Sequence, residues 1–373
     1  MSNSLRSLSE LRVASSCSEE SFFLIPRGFV THHIAKCLIR ERKALPFSSD
    51  NKAYTSIEIV IVEGDKVSHY YSTVDEFLYW LGRLPTEPSE YINKILRAAE
   101  DKAPKFAGIN IKQPILMGIL NVTPDSFSDG GEFLNPEAAI DHGLSMKSAG
   151  AQIIDVGGES TRPGAVPVPP EIEKERVLYV IKQLVRQGCT VSVDTRNWQT
   201  MLAALDAGAC IVNDVTALSH SPNVVSIINE YAASVVLMHM QGEPTSMQQH
   251  PNYLWAPTDI YTMLKQRIAW CINLGISRER LCVDPGIGFG KSDKDNLNII
   301  GAVSILRGLG CAVMLGSSRK GFIGRISNER RPQKRVFGTI AADLKGVSSG
   351  VDILRVHDVR EVKQALILHL SLL

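Results

Sequence analysis

Polar and charged side chains follow several short apolar runs of this sequence, each at the point where the run ends. Asn121 comes directly after the apolar run Ile115–Leu120, and Asp194 follows the run Thr190–Val193. The same arrangement recurs at six further places, which end in Gly157-Gly158-Glu159, Asn213-Asp214, His239, Asp284, Ser317-Ser318-Arg319-Lys320 and Arg355-Val356-His357. Since the carboxyl ends of parallel strands meet where ligands bind, these residues are predicted to form one site.

Three of these side chains have the chemistry of a phosphate site. Arg355 can offer a planar fork of N–H donors that matches phosphate oxygens, and His357 lies two residues beyond it. Asn121 ends the first strand, which is adjacent to the last strand in a closed barrel. A hard cation such as Mg²⁺ prefers oxygen ligands and could bridge Asn121 and a bound phosphate. The set therefore predicts a phosphate site with an assisting metal ion.

A second group of side chains fits a flat heterocycle. Asp194, Asn213 and Asp284 provide oxygens that can accept hydrogen bonds from a ring with N–H donors, such as an aminopyrimidinone. Lys320 and Arg162 could hold an anionic second substrate or a carbonyl group of the ring. This group therefore predicts a binding pocket for a flat heterocycle.

Some of these residues also have a purely structural interpretation. Asp194 and Asp284 could be N-caps of the helices that follow them, although a glycine-rich loop comes directly after Asp284. His239 follows an apolar run and is interpreted as a core histidine. Lys291, near the glycine-rich loop, is interpreted as an anchor of that loop.

The elements that must position these residues alternate regularly from Ile115 onward. Strands are predicted at Ile115–Leu120, Gln152–Val156, Thr190–Val193, Cys210–Val212, Ser234–Met238, Leu281–Val283, Ala312–Leu315 and Ile353–Arg355. Helices are predicted at Pro136–Gly150, Pro170–Gln187, Asn197–Ala207, Pro257–Leu274, Asp293–Leu309 and Arg335–Ser349. Eight βα units match the roughly 250 residues of a TIM barrel. The predicted fold class is therefore α/β, with a TIM (β/α)8 barrel over residues 113–373.

The first 112 residues have a different pattern. Residues 1–20 are predicted to be a disordered tail. Two β-rich runs, Thr55–Glu63 and Lys66–Ser72, flank Gly64-Asp65 and predict a hairpin. A helix that begins at Thr73 and a second helix from Pro88 to Asp101 are expected to follow. Residues 21–112 are therefore predicted to form a small α+β accessory domain, with a role in assembly or shielding and no catalytic chemistry.

Composition excludes several classes of protein. The chain has 373 residues and a formal net charge of +1, which gives no indication of nucleic acid or an anionic membrane as a partner. No apolar run approaches the roughly 18 residues of a membrane span, and the N-terminus lacks the apolar region of a secretion signal. The seven cysteines are scattered and never spaced as C-x-x-C. We therefore expect a cytoplasmic protein with neither disulfides nor a zinc site.

From Pro114 to the C-terminus, the chain closely resembles the dihydropteroate synthase family of folate biosynthesis. The resemblance rests on motifs that occur in order: GILNVTPDSFSDGG, IIDVGGESTRPGA, VSVDT, IVNDV, LMHMQG, DPGIGFGK, SSRKGFIG and RVHDV. It implies a TIM barrel, usually a homodimer, that joins 4-aminobenzoate to (7,8-dihydropterin-6-yl)methyl diphosphate and releases pyrophosphate. Mg²⁺ is the implied cofactor, and the two small-molecule substrates are the implied partners.

The resemblance also implies a role for each matching residue. The implied catalytic residues are Asp194, Lys320, Arg355 and His357, and the implied magnesium ligand is Asn121. The implied substrate-binding residues are Phe127, Asp155, Thr161, Arg162, Pro163, Asp194, Asn213, Met238, Asp284, Gly288, Lys320, Gly321, Arg355, Val356 and His357. Asp155 would support the site from beneath. Phe127, Thr161, Arg162 and Pro163 would close over 4-aminobenzoate, and substitutions such as those at Phe127 and Pro163 would alter sulfonamide sensitivity.

The implied mechanism needs no strong general base. Departure of the neutralised diphosphate leaves a pterin-methyl cation, which Asp194 can stabilise before the arylamine adds. Gly321 stands where many relatives have serine, so the carboxylate of 4-aminobenzoate would depend on backbone N–H groups.

Two alternative functions remain. A methyltetrahydrofolate-type pterin methyltransferase would share the acidic pocket but would lack the SRKG and RVHDV motifs. A non-catalytic pterin-binding module would be expected to have lost Asn121, Thr161 or Lys320, and all three are present.

Overall fold

A small sheet with three helices precedes the barrel. The computed structural model describes residues 6–8, 11, 20–48, 51–100, 105–123, 136–159, 167–242, 247, 249 and 251–373. Before residue 101, the described elements are β1 (Arg6–Ser7), β2 (Phe22–Thr31), α1 (His32–Arg40), β3 (Leu45–Pro46), β4 (Lys52–Glu63), β5 (Lys66–Thr73), α2 (Val74–Leu81) and α3 (Thr86–Glu100). The described residues from 6 to 100 are called the N-terminal unit below.

The sheet of the N-terminal unit is covered on both faces. Its strand order is β1-β5-β4-β2, with β3 also paired to β4. Because side chains alternate along a strand, each strand contributes to both faces. One face packs against α2 and α3 through residues that include Phe22, Leu24, Ile57, Ile59 and Phe77. The other face joins the core around the barrel through Phe23, Ile25 and Val60. The unit is thereby packed directly against the barrel.

The predicted hairpin and the helix that follows it are confirmed. β4 and β5 pair antiparallel across Gly64-Asp65, and Gly64 has a left-handed φ of +57°. Thr73 and Glu76 form a capping box at the start of α2, as the polar residues at this position suggest. The prediction of a disordered tail is wrong for residues 6–8 and 11, since β1 pairs with β5 and Leu8 and Leu11 are buried. Apart from residue 20, the other tail residues lie outside the described part of the chain.

The remainder of the chain is a closed parallel barrel with surrounding helices, which confirms the predicted TIM-barrel fold. Its strands are β6 (Ile115–Asn121), β7 (Ile153–Gly157), β8 (Thr190–Asp194), β9 (Ile211–Asp214), β10 (Ser234–Met238), β11 (Leu281–Asp284), β12 (Ala312–Leu315) and β13 (Ile353–Val356). Its α-helices are α4 (Pro136–Ser148), α5 (Pro170–Arg186), α6 (Trp198–Asp206), α7 (Val224–Glu230), α8 (Ala256–Asn273), α9 (Asp293–Gly301), α10 (Gly321–Ser327), α11 (Val336–Ser348) and α12 (Val359–Leu372). Pairing of β13 with β6 closes the barrel.

The interior of the barrel has an apolar end and a polar end. At the amino ends of the strands, the inward side chains are Ile115, Met117, Ile153, Ile211, Val236, Cys282, Ala312, Met314 and Ile353, and Phe106 packs among them. Phe106 pairs with Ile109 in a short turn before β6, and its buried ring fills this end of the barrel. Two residues further along several strands, the inward positions carry Asp155, Asn213, Asp284 and Arg355. The same alternation therefore seals one end and makes the other end polar.

All eight predicted barrel strands are present, with ends that differ by at most two residues. Helices α7, α10 and α12 are not among the six helices predicted above. The prediction of one helix over Asp293–Leu309 is wrong, because α9 ends at Gly301 and a 3-10 helix covers Val303–Leu309. Glycine is a poor helix former, and the Gly301 carbonyl accepts a hydrogen bond from Nη1 of Arg27 instead of continuing the helix.

The N-terminal unit contacts the barrel through both apolar and polar groups. The Phe23 ring lies edge-on to Tyr261 of α8, with 5.6 Å between centroids. The Ser304 hydroxyl donates to the Pro26 carbonyl over 3.0 Å, and Lys52 Nζ donates to the Val347 carbonyl over 3.1 Å. The unit is thus attached to α8, to the 3-10 helix Val303–Leu309 and to the end of α11.

Two general features concern the described residues as a whole. None of the described helices combines the length and apolar character that crossing a membrane requires. The described cysteines, which are Cys37, Cys189, Cys210, Cys271, Cys282 and Cys311, are free thiols.

Candidate active site

A cavity of about 980 Å³ opens at the carboxyl ends of the barrel strands. The predicted site residues that line it are Asn121, Asp194, Gly288, Lys320, Gly321, Arg355 and His357. They belong to β6, β8 and β13 or to the loops that follow β11, β12 and β13. Closure of the barrel therefore brings residues from five strand ends to one cavity.

Arg355 is at the centre of an ion-pair network on the floor of this cavity. Its Nε donates to Oδ2 of Asp155 over 2.6 Å, and its Nη2 donates to Oδ2 of Asp194 over 2.6 Å. Burial alone lowers the pKa of Arg355, but the two carboxylates raise it on balance, so the guanidinium stays charged. Arg355 thus links carboxylates from two other strands of the barrel, β7 and β8.

The two carboxylates on the floor are incompletely satisfied. Asp155 also accepts a hydrogen bond from Nδ2 of Asn213 over 2.9 Å. Within the described part of the chain, Oδ1 of Asp155 and Oδ1 of Asp194 are buried without a hydrogen-bond partner. Burial raises the pKa of Asp194, and Arg355 opposes that shift. Since an unpaired buried acceptor costs free energy, these oxygens are suited to accept N–H groups of a ligand.

Neither aspartate that could have been an N-cap has that role. Helix α6 begins after Asn197, so Asp194 is three residues too early to cap it. Helix α9 is capped by Ser292, whose side chain accepts from the Asp295 N–H. Asp284 instead accepts the Gly286 N–H over 2.7 Å, which closes the turn after β11.

Asp284 and Lys320 interact electrostatically at the site. Burial raises the pKa of Asp284, whereas the Gly286 N–H and the charge of Lys320 lower it. Nζ of Lys320 lies 4.1 Å from the centroid of the Phe289 ring, which is a cation–π distance. A Cβ atom at Gly288 would lie only 3.2 Å from Cδ of Lys320, and Gly288 has a φ of +80°. Glycine at this position thus lets the lysine lie against the loop.

The loops after β10 and β11 are joined by a buried lysine. Nζ of Lys291 lies 2.8 Å from the Phe289 carbonyl, 3.2 Å from the His239 carbonyl and 3.0 Å from Nδ1 of His239. Burial lowers the pKa of Lys291 to about 7. Burial and the charge of Lys291 lower the pKa of His239 to about 3, so the imidazole is neutral and can accept from the ammonium group. The interpretations of Lys291 as a loop anchor and of His239 as a core histidine are confirmed.

Two glycines allow these loops to come so close. A Cβ atom at Gly286 would lie 1.9 Å from the His239 carbonyl oxygen, and one at Gly290 would lie 2.3 Å from that of Gln241. Both glycines have a positive φ, +67° and +60° respectively. A side chain at either position would therefore force backbone apart.

The loops after β12 and β13 are fastened by contacts of Ser318, Arg319 and Asp358, for which no individual role was predicted. Arg319 donates through Nε and Nη2 to the two carboxylate oxygens of Asp358, at 2.9 and 2.5 Å. Ser318 Oγ lies 2.9 Å from Nδ1 of His357 and accepts the His357 N–H over 3.1 Å. Arg319 and Asp358 occur within the motifs SSRK and RVHDV, so their opposite charges were the available signal.

Glu173 is a further buried carboxylate that the predictions did not include. Its Oε2 accepts from the hydroxyls of Thr195 and Thr200 over 3.0 and 2.6 Å and from Nδ2 of Asn197 over 2.9 Å. These donors come directly after Asp194 or begin α6. Burial raises the pKa of Glu173, and its three donors lower it. Glu173 thus holds the turn that follows Asp194.

Five predicted residues are buried and are not among the described residues that line the cavity, namely Asp155, Asn213, Met238, Asp284 and Val356. The Val356 side chain belongs to the core around the outside of the barrel, so only its backbone can face the site. The predictions for Phe127, Thr161, Arg162 and Pro163 lie outside the described residues.

The described residues that line the cavity include possible oxygen ligands of a magnesium ion. Among the described residues, no group of three or more histidine, cysteine, aspartate or glutamate side chains is arranged as a metal site. Asn121 and Thr123 line the cavity and offer oxygen atoms. Such a set fits Mg²⁺ when a bound phosphate supplies further oxygens, which is a common way for proteins to hold this ion.

The barrel sequence is similar to a known protein family and to individual enzymes. Residues 117–357 match the family described as pterin binding enzyme. Dihydropteroate synthase from Bacillus subtilis (strain 168) is 40% identical over 252 residues, which are 67% of this chain and 86% of that protein. The same enzyme from Escherichia coli (strain K12) is 39% identical over 259 residues, 69% of this chain and 91% of that one.

Solved structures resemble the barrel as well. Xanthomonas albilineans dihydropteroate synthase with 4-aminobenzoic acid has a TM-score of 0.68 at 42% identity, covering 71% of this chain and 96% of that chain. The Yersinia pestis enzyme in a sulfonamide drug complex has a TM-score of 0.68 at 39% identity, with coverage of 71% and 96%. The family match begins at residue 117, after the N-terminal unit.

Proposed function

This chain belongs to the pterin-binding enzyme family and is a dihydropteroate synthase, and from that premise we propose how its barrel cavity performs the reaction. The reaction joins (7,8-dihydropterin-6-yl)methyl diphosphate to 4-aminobenzoate and forms 7,8-dihydropteroate and pyrophosphate. The observation that carries the assignment of the cavity is the floor of Asp155, Asp194 and Arg355, on which two buried carboxylate oxygens lack a partner among the described residues.

The pterin ring is proposed to bind on this floor. A pterin has an exocyclic amino group and ring N–H groups, which can donate to Oδ1 of Asp194 and to Asp284. Lys320 can donate to the ring carbonyl and is held beside Phe289 by a cation–π contact. Because the acceptors are buried, a ligand without matching N–H groups would leave them unpaired and would bind much more weakly.

The diphosphate is proposed to bind near Asn121, Arg355 and His357, all of which line the cavity. An arginine and an imidazole offer N–H donors to phosphate oxygens. Asn121 would be the protein ligand of Mg²⁺, with the other oxygens coming from the diphosphate and water. When bound, the ion would offset the negative charge of the pyrophosphate leaving group.

The chemistry then follows from charge. The C–O bond to the diphosphate breaks, the electron pair leaves with pyrophosphate, and the methylene carbon of the pterin becomes cationic. Asp194, which lies beside Arg355, stabilises that positive charge through its carboxylate. The nitrogen of 4-aminobenzoate forms the new C–N bond and loses one proton, which leaves neutral dihydropteroate nitrogen and requires no strong base.

The experiment that tests this function is an assay of pyrophosphate release. Purified protein is supplied with the pterin diphosphate, 4-aminobenzoate and Mg²⁺, and 7,8-dihydropteroate is measured in parallel. Equal amounts of pyrophosphate and dihydropteroate are expected, and omission of 4-aminobenzoate or Mg²⁺ should abolish both. A sulfonamide should compete with 4-aminobenzoate. Methyl transfer from methyltetrahydrofolate, or tight pterin binding without turnover, would overturn the proposal.

We also infer a homodimer from exposed apolar side chains on the outer helices. Ile326 on α10, Phe337 on α11, and Ile367 and Leu368 on α12 are all more than half exposed. Helices α10 and α11, and α11 and α12, are neighbours, so these side chains lie on adjoining helices. A large exposed apolar surface favours association. Light scattering with size-exclusion chromatography should give twice the chain mass of 40.9 kDa, and a monomer mass would contradict the dimer.

A further inference from the structure

The face of the N-terminal sheet that packs against the barrel contains one polar group of three residues. Glu58 Oε2 accepts from Nε and Nη2 of Arg27 over 3.0 and 2.6 Å, and Glu58 Oε1 lies 2.7 Å from Nδ1 of His69. The surrounding residues on this face are apolar, among them Phe23, Ile25 and Val60. Docking alone would be served as well by apolar side chains, since a buried ion pair is rarely more stabilising than a well-packed apolar substitute. Docking therefore does not explain why Arg27, Glu58 and His69 are polar, and their hydrogen bonds could instead fix the position of a side chain.

His69 uses this geometry to contact the barrel. Its ring is edge-on to the indole of Trp255, at 90° with 4.9 Å between centroids. The bond to Glu58 fixes the orientation of the imidazole plane, and edge-to-face contacts depend on that orientation. His69 is buried, so this contact is sheltered from water.

Trp255 ends a short segment, residues 251–255, that leads from the cavity to α8. Pro251, at the start of the segment, lines the cavity. Asn252 and Gln241 exchange two hydrogen bonds, of 2.9 and 3.0 Å, and the Tyr253 hydroxyl donates to the Gly290 carbonyl over 2.7 Å. The segment is thus tied to the loops after β10 and β11 on one side and to the N-terminal unit on the other.

We propose that the N-terminal unit is a positioning element for the active site, in which His69 holds Trp255 and so fixes segment 251–255 against the loop that carries Gly288, Phe289 and Lys291. The proposal gives a role to a part of the chain that lies outside the family match. It rests on the synthase reaction proposed above. His69 is a positioning residue in this scheme, because it touches neither substrate and acts through Trp255.

The test uses the full-length protein with three single substitutions. His69→Ala removes the ring contact, His69→Phe keeps an aromatic ring but loses the bond to Glu58, and His33→Ala is the control on an exposed histidine of the same unit. The readouts are KM for the pterin diphosphate, kcat, and the melting temperature. Loss of the edge-to-face contact corresponds to a change of about 2- to 12-fold in an equilibrium constant.

His69→Ala is expected to raise KM for the pterin diphosphate by about 2- to 12-fold with kcat within about twofold, because a misplaced wall weakens binding of substrate and transition state alike. His69→Phe should fall between this variant and wild type, and His33→Ala should match wild type. In a Trp255→Ala background, His69→Ala should have no further effect on KM.

Three outcomes decide the matter. A lower melting temperature with unchanged KM in His69→Ala would overturn the proposal and leave His69 as a packing residue. An effect of His69→Ala that persists in full in the Trp255→Ala background would overturn the route through Trp255. Absence of turnover in the wild type would instead overturn the proposed function, so the two failures are distinguishable.

Discussion

The barrel contains two buried arginine–carboxylate clusters, one near each end of β13. Near its carboxyl end, Arg355 pairs with Asp155 and Asp194. At its amino end, Nη1 of Arg307 donates to Oδ2 of Asp352 over 2.7 Å, and the same oxygen accepts the Val313 N–H over 2.8 Å. Both clusters pair an arginine with aspartate, and among the described residues Arg355 has two such partners and Arg307 has one.

The difference lies in exposure and in unused acceptors. The Arg307 and Asp352 side chains are 3% and 6% exposed, whereas Arg355 is 18% exposed and lines a cavity. Among the described residues, each carboxylate beside Arg355 retains an unpartnered oxygen. The Arg307–Asp352 pair is enclosed by the fold and serves stability, while a pair that leaves a carboxylate oxygen unpartnered beside a cavity is prepared for a ligand. The cluster at the amino end of β13 therefore serves stability, and the cluster at its carboxyl end is suited to ligand binding.

The largest expected effect comes from breaking the cluster at the open end. In Arg355→Met, kcat/KM for the pterin diphosphate should fall by about 10³-fold or more, because the guanidinium orders the two carboxylates and, in the proposed mechanism, binds phosphate. Steady-state kinetics would measure it. Arg355→Lys should recover only part of the activity, since a lysine lacks the planar fork. Arg360→Met, on an exposed arginine of the next helix, is the matched control, and an equal loss there would contradict the assignment.

Breaking the cluster at the amino end of β13 should lower stability and leave activity nearly unchanged. Arg307→Met leaves the Asp352 carboxylate buried without its cation and should lower the free energy of unfolding by about 3–5 kcal/mol. Denaturant unfolding would measure this change. Well below the melting temperature, kcat/KM should stay within about twofold of wild type, because the site is at the other end of the strand. A large loss of activity in the folded variant would remove the distinction between the two clusters.

Asp343 is a further buried carboxylate, and its hydrogen-bond partner is the Ser317 hydroxyl and not an arginine. Burial raises the pKa of Asp343 to about 7, and the Ser317 hydroxyl, which donates to it over 2.6 Å, offsets this only in part. The native state therefore binds the proton more tightly than the unfolded chain, so this group's contribution to stability is present below about pH 4 and is lost as the pH rises to about 7.

Asp343→Asn should remove that dependence. The variant is expected to be more stable than wild type at pH 7.5 by about 1–3 kcal/mol and to show a flatter profile of unfolding free energy between pH 4 and 7. Urea unfolding at several pH values would measure it. An unchanged profile would mean that Asp343 is already ionised at low pH. The exposed Asp141→Asn is the control.

The smallest expected effect is at Gly321, where the family resemblance led us to expect serine. A Cβ atom there would lie 2.9 Å from Nη1 of Arg325, which is the far end of an exposed, flexible side chain. Arg325 can move aside at little cost, so Gly321→Ser should change stability by less than about 0.5 kcal/mol. KM for 4-aminobenzoate should change by less than about threefold. Thermal unfolding and initial rates would measure both, and a larger rise in KM would show that Arg325 must stay in place.

The barrel and the position of its site were predictable because their signals are local. A short apolar run bounded by polar and glycine residues predicts a buried strand, and such runs recur along the chain at the spacing of βα units. Turn and cap residues are also local signals, and the capping box of Thr73 and Glu76 made the start of α2 predictable. The end of α9 at Gly301 was missed, although glycine is a local signal, and the bond that its carbonyl accepts from Arg27 comes from a distant part of the sequence.

The local order of residues settles which kinds of side chain stand at each strand end and which face of the strand they occupy, because alternation and turn formation depend on near neighbours. The partners of these side chains depend on the folded barrel. Arg355 meets Asp155 and Asp194 across 200 and 161 residues of chain, and only closure of the barrel makes that pairing possible. The docking of the N-terminal unit likewise depends on complementary surfaces of two separate elements, and no local pattern in the sequence encodes which surfaces will meet.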